Sequence, residues 1–291
     1  MKSIKIFCFS GTGNTAYVVD ALQKALVSRG MDVTVIPLEQ LYFAKDAEAL
    51  KDCDLIGIVF PVHGFNPPWI VEKTFRQMHL PPGRKYFIVK TAGDPFILGG
   101  TTTRLQRILY KKSWKLQYEA LVPMPANLFT RYADSFMKLN AKMAVRQAEK
   151  IADDLIEGDT KILPSSPLAR LFSFICKMEA FGARWGGRFW KVTDKCIKCG
   201  KCVANCPTRN ISFKDGKFKF SGRCVLCLKC SFNCPVQAYS HKHLGTKFWI
   251  KPYDLQRIIA DDKIVETQLE AENNATVESF SRFWWRQGII D

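Results

Sequence analysis

The 291-residue sequence has no apolar run as long as a membrane span, which takes about 20 predominantly apolar residues. Its N-terminus, MKSIKIFCFSGTGNT, lacks both the long apolar region and the small-residue cleavage site of a secretory signal. Acidic residues are also scarce, with 27 Asp and Glu against 43 Lys and Arg. These absences exclude a secreted or membrane-spanning class, and a cytoplasmic protein is expected.

Two common nucleotide-binding patterns are missing from the N-terminal region. The stretch FSGTGNT at residues 9–15 has neither the GK[ST] ending of an ATP-type P-loop nor the GxGxxG spacing of a dinucleotide-binding turn. It follows an apolar run and opens a helical pattern, where backbone N–H groups can bind phosphate. The turn offers hydroxyls and glycines instead of a lysine, and the candidate residues are Ser10, Gly11, Thr12, Gly13, Asn14 and Thr15.

The first 160 residues alternate apolar, strand-like runs with helical patterns. The five runs are residues 4–9, 33–37, 55–60, 86–90 and 118–123. Helical spacing lies between most of them, and the clearest helix runs from about residue 139 to residue 156 before Gly158. Buried strands with helical crossovers predict an α/β fold with a doubly wound parallel sheet.

Cysteine is abundant, but its number and spacing argue against a disulfide scaffold. The total of 11 is odd, and eight cysteines fall in two dense sets, CIKCGKCVANCP at 196–207 and CVLCLKCSFNCP at 224–235. The second set repeats the first 28 residues later. Thiolates are ligands for soft metals and iron–sulfur clusters. Structural zinc, which commonly uses two separated CxxC pairs, and clusters that only brace the fold are the alternatives.

The C-x2-C-x2-C-x3-C-P spacing resembles that of bacterial two-cluster ferredoxins, over about residues 190–245. The resemblance implies a small α+β domain with two 4Fe-4S clusters, in which the fourth cysteine of each motif binds the other cluster. One implied ligand set is Cys196, Cys199, Cys202 and Cys234; the other is Cys206, Cys224, Cys227 and Cys230. Ile211 and Tyr239, at equivalent positions in the repeat, are expected to pack on the clusters.

The glycine turn and the five-strand pattern together resemble flavodoxins, which bind FMN beyond the carboxyl ends of the strands. The resemblance implies that the loops after the third and fourth strands cover the two faces of the flavin. The residues expected there are Pro61, Val62, His63, Gly64, Phe65, Thr91, Ala92, Gly93 and Asp94. Gly64 is the candidate for the peptide that rotates on reduction, and His63 either faces the flavin or caps its loop. The second loop departs from the flavodoxin pattern because it contains no tyrosine.

Together the halves resemble the flavodoxin–ferredoxin fusion proteins of anaerobic microbes. The expected domains are a flavodoxin-like FMN domain (1–163), a basic aromatic linker (164–190), a two-cluster ferredoxin-type domain (191–246) and a C-terminal tail without a readable motif (247–291). The expected function is low-potential transfer of single electrons between two clusters, FMN and a redox partner. An FMN-dependent reductase of a small molecule, fed through its own clusters, is the alternative, so enzymatic activity stays open. A third hypothesis is an interaction protein with structural clusters.

Positive charge is concentrated around the cysteines. Residues 166–250 carry 16 basic and 3 acidic residues. The cationic segment 168–192 is therefore expected to bind an acidic redox partner. Peripheral contact of residues 168–192 with an anionic membrane surface is a second expectation, and an interdomain strap with a solvated basic edge is its alternative. No nucleic acid is expected because the basic and aromatic residues match no known binding motif.

The remaining histidines and cysteines carry no metal prediction. His241 and His243 are expected to face solvent, since every cluster position is already filled. Cys8 is expected to be a buried strand residue, and Cys53 and Cys176 to have no role in cofactor binding.

Overall fold

A parallel sheet forms the centre of the N-terminal half. In the computed structural model, which describes residues 2–45, 48–95, 100–128, 130–165, 167–241, 252–267 and 275–291, its strands are β1 (Ser3–Cys8), β2 (Asp32–Pro37), β3 (Leu55–Pro61), β4 (Lys85–Ala92) and β5 (Lys115–Pro123). Their order is β2-β1-β3-β4-β5 with every neighbouring pair parallel. This is the flavodoxin-like doubly wound order, so the predicted fold and strands are confirmed.

Helices cover both faces of the sheet. They are α1 (Asn14–Ser28), α2 (Leu38–Ala44), α3 (Trp69–Gln77), α4 (Thr103–Tyr110) and α5 (Asp134–Glu157), with a short 3-10 helix at Glu48–Leu50. One core packs α1 and α5 against the sheet, and a second packs α2, α3 and α4 against the other face. Strand β3 is apolar on both faces because helices remove both from water.

A fully buried ion pair stabilises the region behind the loop after β4. Lys90 Nζ donates to Glu119 Oε1 and to Thr101 Oγ1, each at 2.8 Å, and the two charged side chains are 0% and 1% exposed. Thr102 Oγ1 donates to the same carboxylate at 2.6 Å, and Gln106 Nε2 donates to its other oxygen at 3.1 Å. Because buried charges require partners, this network fixes residues 101–102 against the end of the sheet.

The cysteine-rich half is small and built from short elements. They are β6 (Trp190–Val192), α8 (Lys201–Ala204), β7 (Ile211–Lys214), β8 (Lys217–Phe220), α9 (Lys229–Phe232) and β9 (Tyr239–His241). Strands β6 and β9 pair antiparallel, and β7 and β8 form an antiparallel hairpin. The predicted small α+β domain is therefore present.

Two helices of the linker connect the halves, α6 (Pro167–Ile175) and α7 (Lys177–Gly186). The interruption between them falls at Cys176, not at the glycines that made a continuous helix doubtful. Helix α6 is held by Ser173, whose backbone oxygen accepts from Asn66 Nδ2 at 2.9 Å and whose hydroxyl donates to Asn66 Oδ1 at 2.7 Å. Asn66 belongs to the loop after β3, so the linker rests on that loop.

The C-terminal tail returns to the N-terminal half, a contact that no motif in the sequence predicts. Its described helices are α10 (Leu255–Ala260) and α11 (Ala275–Arg286). Leu255 and Ile258 join the core formed by α1 and α5. Phe280 and Trp284 of α11 pack on Phe136, with ring centroids 5.2 and 6.4 Å from it.

The prediction that His241 faces solvent is wrong. His241 is 7% exposed, its Nε2 donates to the backbone oxygen of Gly186 at 3.0 Å, and its ring lies edge-on to Trp190 at 5.4 Å. It is buried because β9 pairs with β6 directly beneath the end of α7. His243 lies outside the described residues. Among the helices that are described, none has both the length and the apolar character required to cross a membrane.

Candidate functional site

A cavity of about 470 Å³ opens at the carboxyl ends of the strands, where the fold places ligands. Its wall comes from the turn before α1 and from the loops after β3, β4 and β5. Its remaining wall comes from the cysteine-rich half, and consists of Leu226, Cys227 and Leu228. The cavity is therefore built by both halves of the chain.

The glycine turn contributes four of its six predicted residues to this wall: Gly11, Thr12, Asn14 and Thr15. Ser10 and Gly13 lie behind it. The hydroxyl of Ser10 accepts from the backbone N–H of Ala16 at 3.2 Å, which stabilises the start of α1. Gly13 has φ 108°, a left-handed conformation that favours glycine, and it precedes the first helical residue. The other N–H groups of the first turn of α1 have no partner within the helix and can bind an anion.

Asn14 connects the turn to two distant parts of the chain. Its Nδ2 donates to the backbone oxygen of Pro125 and to the hydroxyl of Tyr253, both at 2.8 Å. Tyr253 in turn donates to Asn127 Oδ1 at 2.7 Å, and its ring lies 5.5 Å from that of Phe232 in α9. Tyr253, a residue of the C-terminal tail, therefore holds the glycine turn, the loop after β5 and the cysteine-rich half together.

The loop after β3 brings its five predicted residues together in the cavity wall: Pro61, Val62, His63, Gly64 and Phe65. Gly64 and Phe65 both have left-handed backbones, with φ 50° and 57°. The side chain of Asn66 donates to the Gly64 oxygen at 2.8 Å and so fixes that peptide. Loop strain of this kind is concentrated at functional sites.

His63 closes its loop and is one of the residues that line the cavity. Its backbone pairs with that of Asn66 at 2.9 Å. Its Nδ1 donates to the backbone oxygen of Val225 at 3.1 Å, between two cysteines of the second motif. Burial lowers the pKa of His63 to about 4, so the ring is neutral at pH 7.

The loop after β4 brings its four predicted residues together in the same wall: Thr91, Ala92, Gly93 and Asp94. The hydroxyls of Thr15 and Thr91 are hydrogen-bonded at 2.8 Å. The sequence lacks a tyrosine in this loop, but Tyr132 lines the same cavity from the segment after β5 and donates to the Gly93 oxygen at 2.5 Å. Burial raises the pKa of Tyr132 to about 12.

The second cysteine motif is docked on the flavodoxin-like half by several direct contacts. Trp69 Nε1 donates to the backbone oxygen of Cys224 at 2.9 Å, and Val225 is 4% exposed within the core formed by α2, α3 and α4. Lys229 pairs with Glu39 at 3.3 Å. A Cβ atom added to Gly11 would lie 2.0 Å from the Cys227 carbonyl oxygen, so the two backbones are in contact.

The eight motif cysteines surround two further cavities, four to each. The cavity next to the docked motif, which we call the inner cavity, is lined by Cys206, Cys224, Cys227 and Cys230. The other, the outer cavity, is lined by Cys196, Cys199, Cys202 and Cys234. Each fourth cysteine thus faces the other motif's thiols, the grouping that the ferredoxin resemblance implied. Ile211 lines the inner cavity and Tyr239 the outer one.

The two motifs have the same backbone geometry. Lys198 and Leu226, 28 residues apart, have φ 56° in both cases. Their N–H groups donate to the thiol sulfurs of Cys196 and Cys224 at 3.3 and 3.4 Å. N–H donors to a ligand sulfur favour its charged form and influence the potential of a bound cluster.

The thiols of the inner cavity are withdrawn from water. Burial raises the pKa of Cys224 to about 11 and that of Cys227 to about 12. They are neutral at pH 7 without a bound cation, and metal binding must release their protons. Cys8 is 9% exposed at the end of β1, and burial raises its pKa to about 12, as expected for an inert strand residue.

Three parts of the site were not predicted from the sequence. The loop after β5 supplies Met124, Pro125, Ala126, Asn127, Leu128, Thr130 and Tyr132 to the wall. The place of this loop in the site follows from the predicted sheet, because the carboxyl ends of neighbouring parallel strands meet at one edge. Leu226 and Leu228 also had a signal, since they are apolar where the first motif has lysine and glycine. Tyr253 had none.

Comparison with known proteins supports the assignment of the cysteine-rich half. Residues 195–238 match the family described as "4Fe-4S dicluster domain", which implies two 4Fe-4S clusters. No match was found among curated proteins.

Solved structures similar to this chain align with its N-terminal half. They include oxidised flavodoxin 2 from Bacillus cereus (18% identity, 54% of this chain, 99% of that chain, TM-score 0.40). Flavodoxin from Streptococcus pneumoniae TIGR4 aligns at 18% identity over 54% of this chain and 97% of that chain, with TM-score 0.38. NAD(P)H:quinone oxidoreductase from Methanothermobacter marburgensis aligns at 12% identity over 53% and 98%, with TM-score 0.39. The strand order, not these alignments, establishes the flavodoxin-like domain. Joined to a dicluster domain, it implies electron transfer.

Proposed function

We propose that this chain transfers single electrons between a redox protein partner and an FMN held in the 470 Å³ cavity, by way of its two 4Fe-4S clusters. One observation carries the proposal: Leu226, Cys227 and Leu228, inside the second cysteine motif, form part of that cavity's wall. The loop that carries the candidate cluster ligand Cys227 therefore also forms part of the wall of the proposed flavin-binding cavity. A cluster domain that only braced the fold would not need to close a cofactor cavity.

The residues of the cavity fit FMN. Its volume lies in the range of about 300–1,000 Å³ that is usual for cofactor sites. The first-turn N–H groups of α1 and the hydroxyl of Thr12 would bind the phosphate. Val62, Phe65, Leu226 and Leu228 offer apolar surface for the ring, with the neutral side chain of His63 beside them.

The donor sets of the two smaller cavities fit 4Fe-4S clusters. Each provides four cysteine thiols, and apolar side chains such as Trp190, Ile211 and Phe220 surround the inner set and exclude water. When bound, the clusters exchange electrons one at a time, and FMN accepts or releases electrons singly or in pairs. The inner cavity adjoins the flavin cavity through residues 226–228, so the three sites form a series.

Anaerobic reductive titration tests this function against the reductase alternative. Protein isolated without air should contain iron, sulfide and FMN. Stepwise addition of a small reductant should bleach the flavin absorbance in two separable one-electron stages, because a carrier both receives and releases electrons singly, whereas a hydride-transferring reductase releases them in pairs. Bleaching in one two-electron stage would favour the reductase. Material that contains neither iron nor flavin would contradict the proposal.

The Tyr253→Phe variant should bind FMN about tenfold more weakly. The substitution removes the hydroxyl that accepts from Asn14 and donates to Asn127. A lost hydrogen bond costs about 0.5–1.5 kcal/mol, and 1.4 kcal/mol corresponds to a factor of about ten in affinity. Titration of flavin-free protein with FMN, followed by quenching of flavin fluorescence, measures the change.

The matched control is Tyr110→Phe, because Tyr110 is 79% exposed. It should bind FMN as the wild type does. Equal FMN affinities for Tyr253→Phe and wild type would show that the tail does not support the glycine turn.

Peripheral membrane contact stays a prediction. Leu171, Ile175 and Trp185 in α6 and α7 are 53%, 55% and 56% exposed, and the exposed Arg170 and Arg184 lie on the same helices. Salt-sensitive binding to anionic vesicles, without binding to zwitterionic ones, would be its signature.

A further inference from the structure

The two cysteine motifs share a backbone but have diverged in the side chains between their cysteines. Gly200 and Leu228 occupy equivalent positions and both have left-handed φ angles, 73° and 57°. A leucine in this conformation is unfavourable, whereas glycine adopts it freely. The second motif therefore accepts a backbone cost at Leu228, and that side chain is 5% exposed and lines the flavin cavity.

The first motif presents the equivalent surface to solvent. Ile197 is 62% exposed, whereas its counterpart Val225 is 4% exposed. Lys198, Cys199 and Lys201 are exposed as well. Because the backbones match, the difference reflects what covers each motif: the flavodoxin-like half covers the second, and none of the described residues covers this face of the first.

The uncovered surface is strongly cationic. Residues 190–220 contain eight basic and two acidic residues, and one of the acids, Asp194, precedes Lys195. In the second motif the lysine equivalent to Lys201 is neutralised, since Lys229 pairs with Glu39 at 3.3 Å. In the first motif, the lysines surround an apolar side chain and an exposed candidate cluster ligand, Cys199.

We infer that residues 195–201, the port loop, form the docking surface for an acidic redox protein that exchanges electrons with the outer cluster. The inference rests on the proposed function and specifies where its partner binds. An apolar centre with a charged rim suits a small, transient electron-transfer interface, in which complementary charge increases the rate of encounter. A second copy of this chain is a poor partner, since the net charge of +16 repels it. One electron leaves the reduced partner and enters the outer cluster, and no bond forms or breaks.

Charge reversal tests the port loop. Lys198→Glu/Lys201→Glu and wild-type holoprotein would be mixed by stopped flow with a reduced, acidic two-cluster ferredoxin as the probe. We expect the second-order rate constant of the variant to fall about tenfold or more at low ionic strength, because steering contributes about 10–1,000-fold to association. The difference should shrink in salt as the Debye length falls from about 30 Å at 0.01 M to about 3 Å at 1 M.

The matched control is Lys85→Glu/Lys115→Glu. These two exposed lysines are cross-strand neighbours at the start of β4 and β5, the end of the sheet opposite the cofactor cavity. The control changes the net charge by the same amount. If the ferredoxin docks on the port loop, the rate constant of the control should fall by less than about twofold, because charges outside the interface contribute little to steering. Equal slowing of both variants would overturn the inference in favour of a net-charge effect.

Binding can be measured without electron transfer. A zero-length carbodiimide joins lysine amines to carboxylates, so oxidised holoprotein and oxidised ferredoxin should yield cross-linked peptides that contain Lys195, Lys198 or Lys201. Cross-links confined to other lysines would overturn the inference. So would tight binding of a DNA oligonucleotide or anionic vesicles through the port lysines, if the ferredoxin rate is unchanged in the variant.

A neutral variant guards against loss of the cluster. If Lys198→Glu/Lys201→Glu contains less iron than wild type, Lys198→Gln/Lys201→Gln serves instead, with a smaller expected reduction in rate. Failure of the proposed function would look different. The wild type would then accept electrons from the ferredoxin, but its flavin would not be reduced in the later, concentration-independent phase.

Discussion

The Cys206→Ala variant is expected to lose the cluster next to the flavin cavity, although Cys206 belongs to the first cysteine motif. Iron and sulfide should fall to about half, because one of two 4Fe-4S sites lacks a ligand. FMN should be retained, and reduction of the flavin by a reduced ferredoxin should be lost. Iron analysis, flavin release by heat and stopped-flow absorbance measure the three properties.

The reason is the exchange of the fourth cysteine between the motifs. Cys206 lines the inner cavity with Cys224, Cys227 and Cys230, whereas Cys234 lines the outer cavity. Cys234→Ala should therefore lose the same amount of iron and yet retain the inner cluster. In that variant a small reductant should still reduce the inner cluster and the flavin together.

The control for cysteine loss is Cys176→Ala, since Cys176 lines neither cluster cavity. It should retain the full iron and flavin content. The reverse pattern, in which a small reductant reduces an inner cluster together with the flavin in Cys206→Ala but not in Cys234→Ala, would show that each motif binds its own cluster. Serine variants at both positions would replace the alanine variants if these fail to fold.

The Gly11→Ala variant should slow transfer between the inner cluster and the flavin several-fold. A Cβ atom at Gly11 would lie 2.0 Å from the carbonyl oxygen and 2.9 Å from the carbonyl carbon of Cys227. Both are backbone atoms of the cluster loop, so the loop has to move away from the cavity. No bond forms in this step, but the rate of electron transfer between two centres falls steeply as their separation increases.

The measurement is the concentration-independent phase of flavin bleaching after rapid reduction of the clusters. Gly182→Ala is the matched control, because a Cβ atom there meets no other atom within 4 Å. FMN content has to be determined in parallel, since Gly11 also lines the cavity. An unchanged rate with full cofactor content would show that the cluster loop and the glycine turn are not in contact in solution.

Gly11 also illustrates how far a local motif can be interpreted. The sequence assigned it to phosphate binding, and it does line the cavity. The close approach of Cys227, 216 positions further along the chain, is a second reason for glycine at this position. A local pattern describes only the neighbours along the chain, so the second constraint was not visible in it.

The same limit explains the error at His241. Cysteines already fill every predicted cluster position, so His241 was predicted to face solvent. The pairing of β6 with β9 brings it under Gly186 and Trp190 instead. Burial of a polar side chain depends on which strands pair, and two strands of three residues carry little signal of their own.

By itself, the sequence determined the five strands and the helices between them, the two cofactor signals and the duplicated cysteine spacing. These features are local, because strand and helix periodicity arises within a segment and a cluster is bound by thiols a few residues apart. Only the tertiary structure decided that the second motif closes the 470 Å³ cavity, that Tyr253 supports the glycine turn across 239 positions, and that the first motif remains exposed. Such contacts depend on the complementary shape and charge of surfaces that meet only after each part has folded, and no periodicity in the chain records them.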